Sequence, residues 1–520
     1  MPKKAEQRTW SWQLPAAPAA PTRTATRPAP APRTFRRAVA LTVAGTAIPG
    51  LGLIAGRRRI IGSIILGLFA AGLLALGVYA AFDMQGLLAH AVDPTTLRRA
   101  AVALAVLALV WVAVIIASHL SLRDHPTQNQ RVIGGVLVGM LSFAVAAPAA
   151  VAAHYTYVTA TSVAAVFQSE ANTRSATRPT LEGTQAGPGR QDPWAGKARL
   201  NVLLLGGDAG PGRIGTRTDT VILASINTRT GNTTLFSLPR NAARMPFPSR
   251  SPLRKYYPYG FTNGNGNNAE YFLNAMYRNL PHSVPKDVLG PTDNLGADAL
   301  KLSVGEALGL PVDYYVLINL QGFSQMIDAL GGIRLDINTY IPIGGDTDRG
   351  IPPKDYLKPG ADQKLDGYRA LWYARGRYGS SDFDRMDRQR CVINAIIKQA
   401  NPTNMLARYE DVVKAGEQLV YTDMPREVLP LMVDLSLRVK DANVRSIVFR
   451  HGEAGFYSGD PDFSRMRKRV KAALEEAKSP PSPTPSKSTT KSSTRSPQSE
   501  DVNDTCAYDP KIAATARPYR

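Results

Sequence analysis

Acidic and basic side chains suited to phosphate chemistry flank short apolar runs near the middle of the chain. Asp208 follows the run LLLGG, Arg217 and Asp219 precede VILASI, and Arg240 follows TLFSLP. Two neighbouring carboxylates repel each other unless a cation joins them, and oxygen-only ligands favour a hard ion such as Mg²⁺. Guanidinium groups bind phosphate oxygens through paired hydrogen bonds, and Mg²⁺ completes its shell with substrate phosphates. Together these residue types predict a site for a pyrophosphate and its metal.

Three predicted strands would bring these residues to one rim of a sheet. The apolar, β-branched runs bounded by Gly, Asn, Asp or Pro predict strands at Asn201–Gly206, Thr220–Ile226 and Thr233–Leu238. The segment NTRTGN between the last two has the composition of a hairpin turn, so these strands should be antiparallel. The residue entering one strand then lies beside the residue leaving the other. Any one of these charged residues, taken alone, is more often a cap, a turn former or a solvated charge, and it is their convergence that favours the phosphate site.

A second charged set follows residue 370. The stretch ALWYA is predicted to be a buried strand, followed by Arg375 and Arg377, which would share one face if the strand continued. Ser381 or Asp382 is predicted to cap the next helix. On that helix, residues with spacing i, i+3 and i+4 share one side: Arg385, Arg388 and Gln389. A helix N-terminus already favours anions, so these guanidinium groups would strengthen a phosphate site.

The same helix has an alternative interpretation. Asp384 and Asp387 beside the arginines could form an ordinary salt-bridged surface. Val392 and Ile396, however, continue the side that carries Gln389, which tilts that side toward the domain. We therefore expect the helix to face a phosphate site rather than open water.

Composition places the chain at a membrane. At 520 residues it is too long for one ordinary domain, and its net charge of +21 indicates an anionic partner such as nucleic acid, an anionic lipid surface or a phosphorylated substrate. Much of the charge lies just before the first long apolar segment and in the polar tail, which argues against nucleic acid as the partner. The segments 60–82, 100–120 and 132–153 are each long enough to span a bilayer. Segment 38–56 is broken by Pro49 and glycines and is predicted to be re-entrant or interfacial.

Positive charge in the segments that flank the spans sets the expected topology. Arginines at 57–59 and in the loop between the second and third spans should be cytoplasmic, so the following domain should be outside the cell. Helix and strand patterns alternate in that domain and predict an α/β fold. The expected parts are a disordered cytoplasmic arm (1–37), a membrane region (38–160), a linker (161–198), the catalytic domain (199–478) and a disordered extracytoplasmic tail (479–520).

The two cysteines, Cys391 and Cys506, form neither a zinc pattern nor a disulfide framework. In an oxidising compartment they could pair and tie the tail to the domain. The sequence leaves this open because connectivity depends on the fold.

At these residues the chain resembles the LytR-CpsA-Psr family of cell-wall glycopolymer ligases. The motifs that carry the resemblance are LLLGGDAG, GTRTDT followed by VILASIN, TLFSLPRN, GLPVDYYVLINLQGFSQMIDALGGIRLDI, LDGYRALWYARGR and SDFDRMDRQR. They cover about residues 200–400. The resemblance implies an extracytoplasmic domain with α-β-α layers that binds a polyprenyl-pyrophosphate-linked glycan and transfers the glycan to peptidoglycan.

The resemblance also implies roles for individual residues. Asp208 and Asp219 are implied as ligands of Mg²⁺, with Mn²⁺ as the alternative ion. Pyrophosphate contacts are implied for Arg217, Arg240, Arg244, Arg375, Arg377, Arg385, Arg388 and Gln389. Asp219, Arg240 and Arg217 are the expected catalytic residues.

Two departures from the family pattern stand out. Asn241 occupies a position where the family commonly has Asp, and residues 249–296 replace a shorter segment. The resemblance therefore implies no role for an acid at position 241, and it does not predict how the acceptor binds. An apolar tunnel for the polyprenyl chain is expected near Leu308 and Met326.

The expected function is therefore transfer of a glycopolymer from a polyprenyl-pyrophosphate carrier to peptidoglycan by a multi-pass protein of the cell membrane. Its partners would be the lipid-linked glycan, peptidoglycan and membrane lipid, without nucleic acid. One alternative is a polyprenyl-pyrophosphate pyrophosphatase that uses water in place of the acceptor. Another is a non-catalytic envelope regulator that binds lipid.

Overall fold

The computed structural model describes most of the chain between its polar ends. The described residues are 35–82, 90, 93–123, 127–179, 194, 196–208, 216–347, 349–399, 420–477 and 499–519. The predicted arm up to residue 34, the predicted linker from 180 to 193 and the predicted tail from 478 to 498 lie outside the described residues. The described residues form two compact units, one within 1–69 and 111–143 and the other within 70–110 and 144–520.

The described residues between 35 and 166 form mainly apolar helices. They are α1 (Phe35–Ala47), α2 (Leu51–Ala55), α3 (Arg59–Phe82), α4 (Pro94–Leu122) and α5 (Gln128–Val166). Among the described helices, α3, α4 and α5 are long and apolar enough to cross a membrane, by length and composition. They contain the three predicted spans. A helix of about 20 residues matches a hydrocarbon core of about 30 Å, so each has sufficient length.

Segment 38–56, predicted to be re-entrant or interfacial, forms α1 and α2 with a break between them. Gly50 lies at the break with a left-handed φ of 94°. Gly45 packs on the backbone of Gly52, where a Cβ on Gly45 would lie 2.9 Å from the Gly52 nitrogen. The two helices therefore fold back on each other. Their placement at a membrane stays a prediction.

The rest of the chain alternates strands with helices. The strands are β1 (Arg199–Gly207), β2 (Thr218–Asn227), β3 (Thr233–Leu238), β4 (Tyr314–Asn319), β5 (Ile333–Ile337), β6 (Ile341–Asp346), β7 (Ile351–Leu357), β8 (Gly360–Leu365), β9 (Val420–Thr422), β10 (Val444–Val448) and β11 (Glu500–Asp501). Within the described residues, seven of them form a mixed sheet in the order β11-β10-β3-β2-β1-β4-β9. The pairs β5-β8 and β6-β7 form separate ribbons.

Helices pack on both faces of the main sheet. They are α6 (Leu253–Tyr256), α7 (Leu273–Asn279), α8 (Leu295–Leu308), α9 (Leu320–Ala329), α10 (Gly367–Arg375), α11 (Asp382–Gln399), α12 (Leu429–Asp441), α13 (Phe463–Glu476), α14 (Val502–Cys506) and α15 (Pro510–Thr515). Successive residues of β2 point to opposite faces. Val221 and Leu223 pack in the core with α8 and α13, whereas Ile222 and Ala224 pack with Val502 of α14. The expected layered α/β architecture is therefore present.

The strand predictions around the central hairpin are confirmed. The strands β1, β2 and β3 lie within two residues of their predicted ends, and β2 pairs with β3 antiparallel. Gly207 pairs with Thr218, and Val221 pairs with Leu238. The end of β1, the start of β2 and the end of β3 therefore meet at one rim of the sheet, as predicted.

The predicted buried strand at ALWYA is wrong, because this stretch belongs to helix α10. Asp366 caps it by accepting a hydrogen bond from the backbone nitrogen of Arg369 at 2.8 Å, and the helix ends before Gly376. A short apolar run has no periodicity that separates a strand from a buried helix. The preceding Leu-Asp-Gly was the cap signal that could have decided it.

The prediction of a disordered tail is also wrong for residues 499–519. Strand β11 pairs with β10, and the structure joins Cys391 of α11 to Cys506 of α14 in a disulfide. Arg390, which is 1% exposed, forms an ion pair with Glu500. These contacts fasten the end of the chain to the helix that carries Arg385 and Gln389.

Part of the predicted linker is anchored as well. Arg174 forms an ion pair with Asp293 at 3.0 Å, and the buried Asp298 accepts hydrogen bonds from Ser175, Ala176 and Thr177. Helix α5 also continues to Val166, six residues beyond the predicted membrane region. Described residues of this segment therefore lie against the α/β domain.

Candidate functional site

A cavity of about 370 Å³ opens at the rim where β1 and β4 end and β2 begins. Its interior is apolar, and its walls come from β1, β4, α9, α10 and α11. Polar side chains from distant parts of the sequence line it as well: Asp208, Asp219, Thr220, Asn319, Arg375, Arg377, Arg385 and Gln389. An apolar chamber with a few convergent polar groups is the usual form of a ligand site.

Asp219 is the carboxylate at the centre of the polar side chains. Its Oδ1 accepts a hydrogen bond from Arg240 Nη1 at 3.1 Å and another from Asn274 Nδ2 at 3.0 Å. Burial alone would raise the pKa of Asp219, but Arg240, Asn274 and Arg385 outweigh it and lower the pKa below its ordinary value. Asp219 therefore stays ionised at neutral pH.

Asp382, the first residue of α11, collects the neighbouring guanidinium groups. Its Oδ1 forms ion pairs with Arg385 at 3.0 Å, with Arg240 at 3.3 Å and with Arg377 at 3.7 Å. Arg240 thus bridges Asp219 and Asp382. Because guanidinium forks bind phosphate oxygens as readily as carboxylates, an anion entering the cavity could replace these contacts.

Helix α11 places Arg385 and Gln389 against β2. Arg385 Nη2 donates to the backbone oxygen of Asp219 at 3.0 Å, and Gln389 Nε2 donates to Thr220 Oγ1 at 2.8 Å. Burial lowers the pKa of Arg385 to about 10, which still leaves it charged at neutral pH. The helix begins with a capping box, because Ser381 and Asp384 each accept a hydrogen bond from the other's backbone nitrogen. The predicted cap is confirmed.

Asp208 and Arg217 lie at the same rim, on either side of the loop between β1 and β2. Asp208 Oδ1 accepts a hydrogen bond from the backbone nitrogen of Arg217 at 2.8 Å, while the Arg217 side chain forms an ion pair with Glu270. Arg375, the last residue of α10, lies over the ring of Trp372, 4.8 Å from its centroid. The start of β2 and the end of α10 thus add two more guanidinium groups near the cavity mouth.

Two of the predicted phosphate-binding arginines are placed elsewhere. The buried Arg388 donates to the backbone oxygen of Gly376, and burial lowers its pKa. Arg244 forms an ion pair with Asp460 at 3.0 Å and lines a different cleft. Neither lines the apolar cavity. Arg217 and Arg240 are not among its lining residues either, but Arg240 contacts Asp219, which lines it.

The apolar interior of the cavity follows from α9 and α11. Phe323 and Met326 of α9 face Val392 and Ile396 of α11, and both pairs are among the lining residues. Val392 and Ile396 were predicted to continue the Gln389 side, and they do. Met326 was expected as a wall of the lipid tunnel and lines the cavity. Leu308 was the other expected wall and is wrong, because this last residue of α8 is 1% exposed and packs in the hydrophobic core.

The carboxylates at the rim are candidate ligands for a metal ion. In the described part of the chain, no group of three or more His, Cys, Asp or Glu side chains is placed to hold one. Asp208 directly follows β1, Asp219 is the second residue of β2, and the adjoining Gly207 and Thr218 are paired, so the two residues supply carboxylate oxygens at neighbouring strand ends. Such a pair fits Mg²⁺, which commonly takes one or two protein carboxylates and completes its shell with water and substrate phosphate. The residues fit a metal that binds together with a phosphate.

Sequence reasoning missed the site roles of Asp382, Asn274 and Glu270. Asp382 was considered only as a helix cap, although a carboxylate among closely spaced arginines was a signal for an ion-pair hub. Asn274 and Glu270 lie in residues 249–296, and their contacts with Asp219 and Arg217 depend on how that segment packs. Nothing in the local sequence signals either contact.

Comparison with known proteins places these residues in a known family. A sequence model of the LytR_cpsA_psr family matches residues 154–455, more than half of the chain. A protein of Oceanobacillus iheyensis, named polyisoprenyl-teichoic acid–peptidoglycan teichoic acid transferase TagU, is 27% identical over 54% of this chain and 78% of its own length. The TagU of Enterococcus faecalis is 29% identical over 44% of this chain and 62% of its own length.

Two solved structures are also similar to this chain. The crystal structure of Bacillus subtilis TagV is 24% identical and matches 54% of this chain and 97% of its own, with a TM-score of 0.37. A Streptococcus agalactiae protein is 24% identical and matches 55% of this chain and 90% of its own, with a TM-score of 0.39.

Proposed function

The chain belongs to the LytR-CpsA-Psr family, and from this premise we propose that it transfers a glycopolymer from a polyprenyl-pyrophosphate carrier to peptidoglycan. The observation that carries the proposal is the form of the cavity, an apolar chamber whose mouth holds guanidinium groups. A lipid diphosphate has the matching form, an apolar chain that ends in a polyanion. The names of the relatives, teichoic acid transferases that use a polyisoprenyl-linked donor, support the same conclusion.

In this proposal the two halves of the cavity bind the two halves of the donor. The polyprenyl chain lies between α9 and α11, where Phe323 and Val392 provide apolar contact. The diphosphate lies among Arg240, Arg377 and Arg385 and takes over part of their contacts with Asp382. The glycan then leaves the mouth toward the outer surface of the domain.

The reaction would be a displacement at the phosphorus that carries the glycan. A hydroxyl of peptidoglycan attacks this phosphorus and loses its proton to solvent, the bond to the polyprenyl phosphate oxygen breaks, and polyprenyl phosphate leaves. Mg²⁺ held by Asp208 and Asp219, when bound, would neutralise charge on the phosphates. Arg240 and Arg385 stabilise the charge that builds on the leaving phosphate. The low pKa of Asp219 makes it a weak proton acceptor, so it serves better to hold Arg240 and a metal than to deprotonate the hydroxyl.

The test compares Arg240→Ala with wild type, using the full chain in detergent with a lipid-diphosphate glycan, Mg²⁺ and peptidoglycan. We expect a loss of transfer of at least about 100-fold, because Arg240 contacts both mouth carboxylates and the place of the diphosphate. Arg349→Ala is the matched control, since that arginine is 78% exposed and pairs only loosely with Asp346. The unfolding temperature of Arg240→Ala should stay near that of wild type.

Product analysis separates the alternatives. Glycan joined to peptidoglycan through a phosphodiester supports the proposal, and a glycosidic bond would place the attack at the sugar carbon instead. Release of polyprenyl phosphate without modified peptidoglycan would identify a pyrophosphatase. Lipid binding without turnover, together with normal growth of an Asp219→Ala strain, would identify a non-catalytic regulator. Normal transfer by Arg240→Ala would contradict the site assignment.

We further propose that α3, α4 and α5 span the cell membrane and that the α/β domain is extracytoplasmic. The length and apolar composition of these helices support the first part, and the arginines at 57–59 support the orientation. Membrane-impermeant thiol labelling of single cysteines introduced at Arg349 and at Arg58 tests it. Labelling at 349 but not at 58 in intact cells is expected, and the reverse pattern would overturn the topology.

A further inference from the structure

A second cleft lies beside the phosphate site, at the surface of residues 244–261 and 460–463. It has a volume of about 290 Å³, and among the described residues none lines both this cleft and the apolar cavity. Residues that give it its chemical character are Arg244, Arg254, Tyr257, Tyr259, Asp460 and Phe463. The cleft thus combines aromatic rings with charged side chains of both signs.

The floor of the cleft is rigid. Tyr257 is 7% exposed, its ring packs 5.2 Å from that of Phe261 and 6.0 Å from that of Phe247, and its hydroxyl forms a hydrogen bond with Ser283 at 2.6 Å. Because these contacts fix the floor, ligand binding would not have to order it.

The rim of the cleft is open. Tyr259 is 84% exposed, and Arg244 and Asp460 form their ion pair with side chains that are 47% and 81% exposed. An exposed aromatic ring beside an exposed guanidinium and carboxylate offers an apolar face and hydrogen-bonding groups at the same place. These are the groups that a sugar ring requires, since its C–H face is apolar and its edge carries hydroxyls.

The backbone that forms the cleft is strained at Arg244. Arg244 has a left-handed φ of 49°, which is unfavourable for a residue with a side chain. It packs on Gly260, whose φ is 86°. A Cβ added to Gly260 would collide with the carbonyl oxygen of Arg244. Phe261 N donates to Met245 O at 2.8 Å and holds the two segments together. Strain of this kind persists where the surrounding structure enforces it, and it concentrates at ligand sites.

The cleft also lies within reach of the phosphate site. Arg240 and Arg244 are four residues apart, so the distance between their backbones cannot exceed about 14 Å. The intervening segment is fixed, because Ala242 O accepts Leu273 N at 3.0 Å and Ala243 N donates to Ser458 O at 2.8 Å. A sugar attached to a diphosphate at Arg240, or an acceptor chain approaching it, would therefore have the cleft within reach.

We propose that this cleft binds a saccharide segment of one of the two substrates, with Tyr259 stacking on a sugar ring and Arg244 and Asp460 binding its hydroxyls. The proposal rests on the proposed function for the identity of the glycans. The shared ligand chemistry is a chain that contains sugar rings, which belongs either to the transferred glycopolymer or to the glycan strand of peptidoglycan.

The test measures saccharide binding directly, by calorimetric titration of the full chain in detergent. One probe is glycan strands released from peptidoglycan by an amidase, and the other is glycopolymer released from cell walls by mild acid. Tyr259→Ala should weaken binding of one probe by about tenfold, the loss of roughly one stacking contact. Tyr259→Phe keeps the ring and should bind within about threefold of wild type, because one exposed hydroxyl contributes little. Tyr256→Ala is the matched control, since Tyr256 is exposed on the same surface but does not line the cleft.

The outcomes separate this proposal from the proposed function. Weakened binding of peptidoglycan strands assigns the cleft to the acceptor, and weakened binding of the wall glycopolymer assigns it to the donor. If wild type binds neither probe, or if Tyr259→Ala binds as wild type does, the cleft proposal is overturned. Binding of inorganic pyrophosphate with Mg²⁺ reports on the phosphate site independently and should be the same in Tyr259→Ala and wild type.

Discussion

The fold surrounds two pairs of carboxylates with hydrogen-bond donors. Asp219 and Asp382 lie at the cavity mouth, whereas Asp298 of α8 and Asp423 lie in the interior. The mouth carboxylates are 31% and 23% exposed in their side chains and contact arginines that border an open cavity. Asp298 and Asp423 are 1% and 6% exposed. The two pairs have the same chemistry, and they differ in access to solvent.

The buried pair is closed by contacts within the protein. Asp423 forms an ion pair with Lys301 and accepts the backbone nitrogen of Tyr315 at 2.8 Å. Asp298 accepts Ser175 Oγ at 2.7 Å and Thr292 Oγ1 at 2.6 Å, besides two further donors. At the mouth, by contrast, Arg377 and Arg240 keep a face toward solvent. Buried ion pairs therefore stabilise this fold, whereas the ion pairs that border the cavity leave their guanidinium groups available to a ligand.

Breaking the buried ion pair of Lys301 and Asp423 should give the largest change in stability. Lys301→Met leaves Asp423 buried without its cation, so we expect the free energy of unfolding to fall by about 3–5 kcal/mol. Denaturant unfolding of the full chain in detergent measures this. The double variant Lys301→Met with Asp423→Asn should recover part of the loss, because no uncompensated charge remains. A loss below about 1 kcal/mol in the single variant would show that the pair is solvated.

Removing the Asp382 carboxylate at the cavity mouth should instead affect activity. Asp382→Asn removes the carboxylate that gathers Arg240, Arg377 and Arg385, so the guanidinium groups lose their alignment. We expect transfer to fall by about 10- to 100-fold, the usual penalty for misplaced groups. The free energy of unfolding should change by less than about 1 kcal/mol, because Arg240 and Arg377, two of the three arginine partners of Asp382, are partly exposed. Asp346→Asn, at an exposed ion pair outside the site, serves as the control. Unchanged transfer with a large loss of stability would show that Asp382 stabilises the fold and does not align the arginines for transfer.

The smallest expected effect concerns pH. The pKa of Asp219 is lowered in the fold, so its contribution to stability is fully present above the ordinary aspartate pKa of about 3.9 and is lost as the pH falls toward the folded value. Asp219→Asn should remove this acid-side decline and cost less than about 1 kcal/mol at pH 7. Unfolding curves of both proteins between pH 7 and pH 3 measure the difference. Parallel curves would show that the mouth arginines do not stabilise the Asp219 carboxylate.

Prediction from sequence succeeded where the deciding interactions are local. Strands β1, β2 and β3, their hairpin and the shared rim were all predicted, because turn residues and apolar runs encode them directly. The capping box of Ser381 and Asp384 is likewise local. Helix α10 was mistaken for a strand because its apolar run is too short to show a period.

Prediction was less complete where distant segments meet. Leu308 and Met326 have similar sequence contexts, yet the first packs in the core and the second lines the cavity. Arg388 and Arg244 carry the same charge as Arg385, yet their side chains are directed to Gly376 and Asp460. The end of the chain looks like a polar tail, yet its disulfide and β11 fasten it to the sheet.

The sequence by itself determined the apolar helices, the central hairpin and the set of acids and arginines that meet at its rim. These follow from hydrophobic periodicity and turn chemistry, which act over a few residues. Only the tertiary structure decided which charges face the cavity, which are buried on and against α8, and which form the second cleft. The physical reason is that exposure and pairing depend on packing between segments up to hundreds of residues apart, and residue type alone carries no information about that packing.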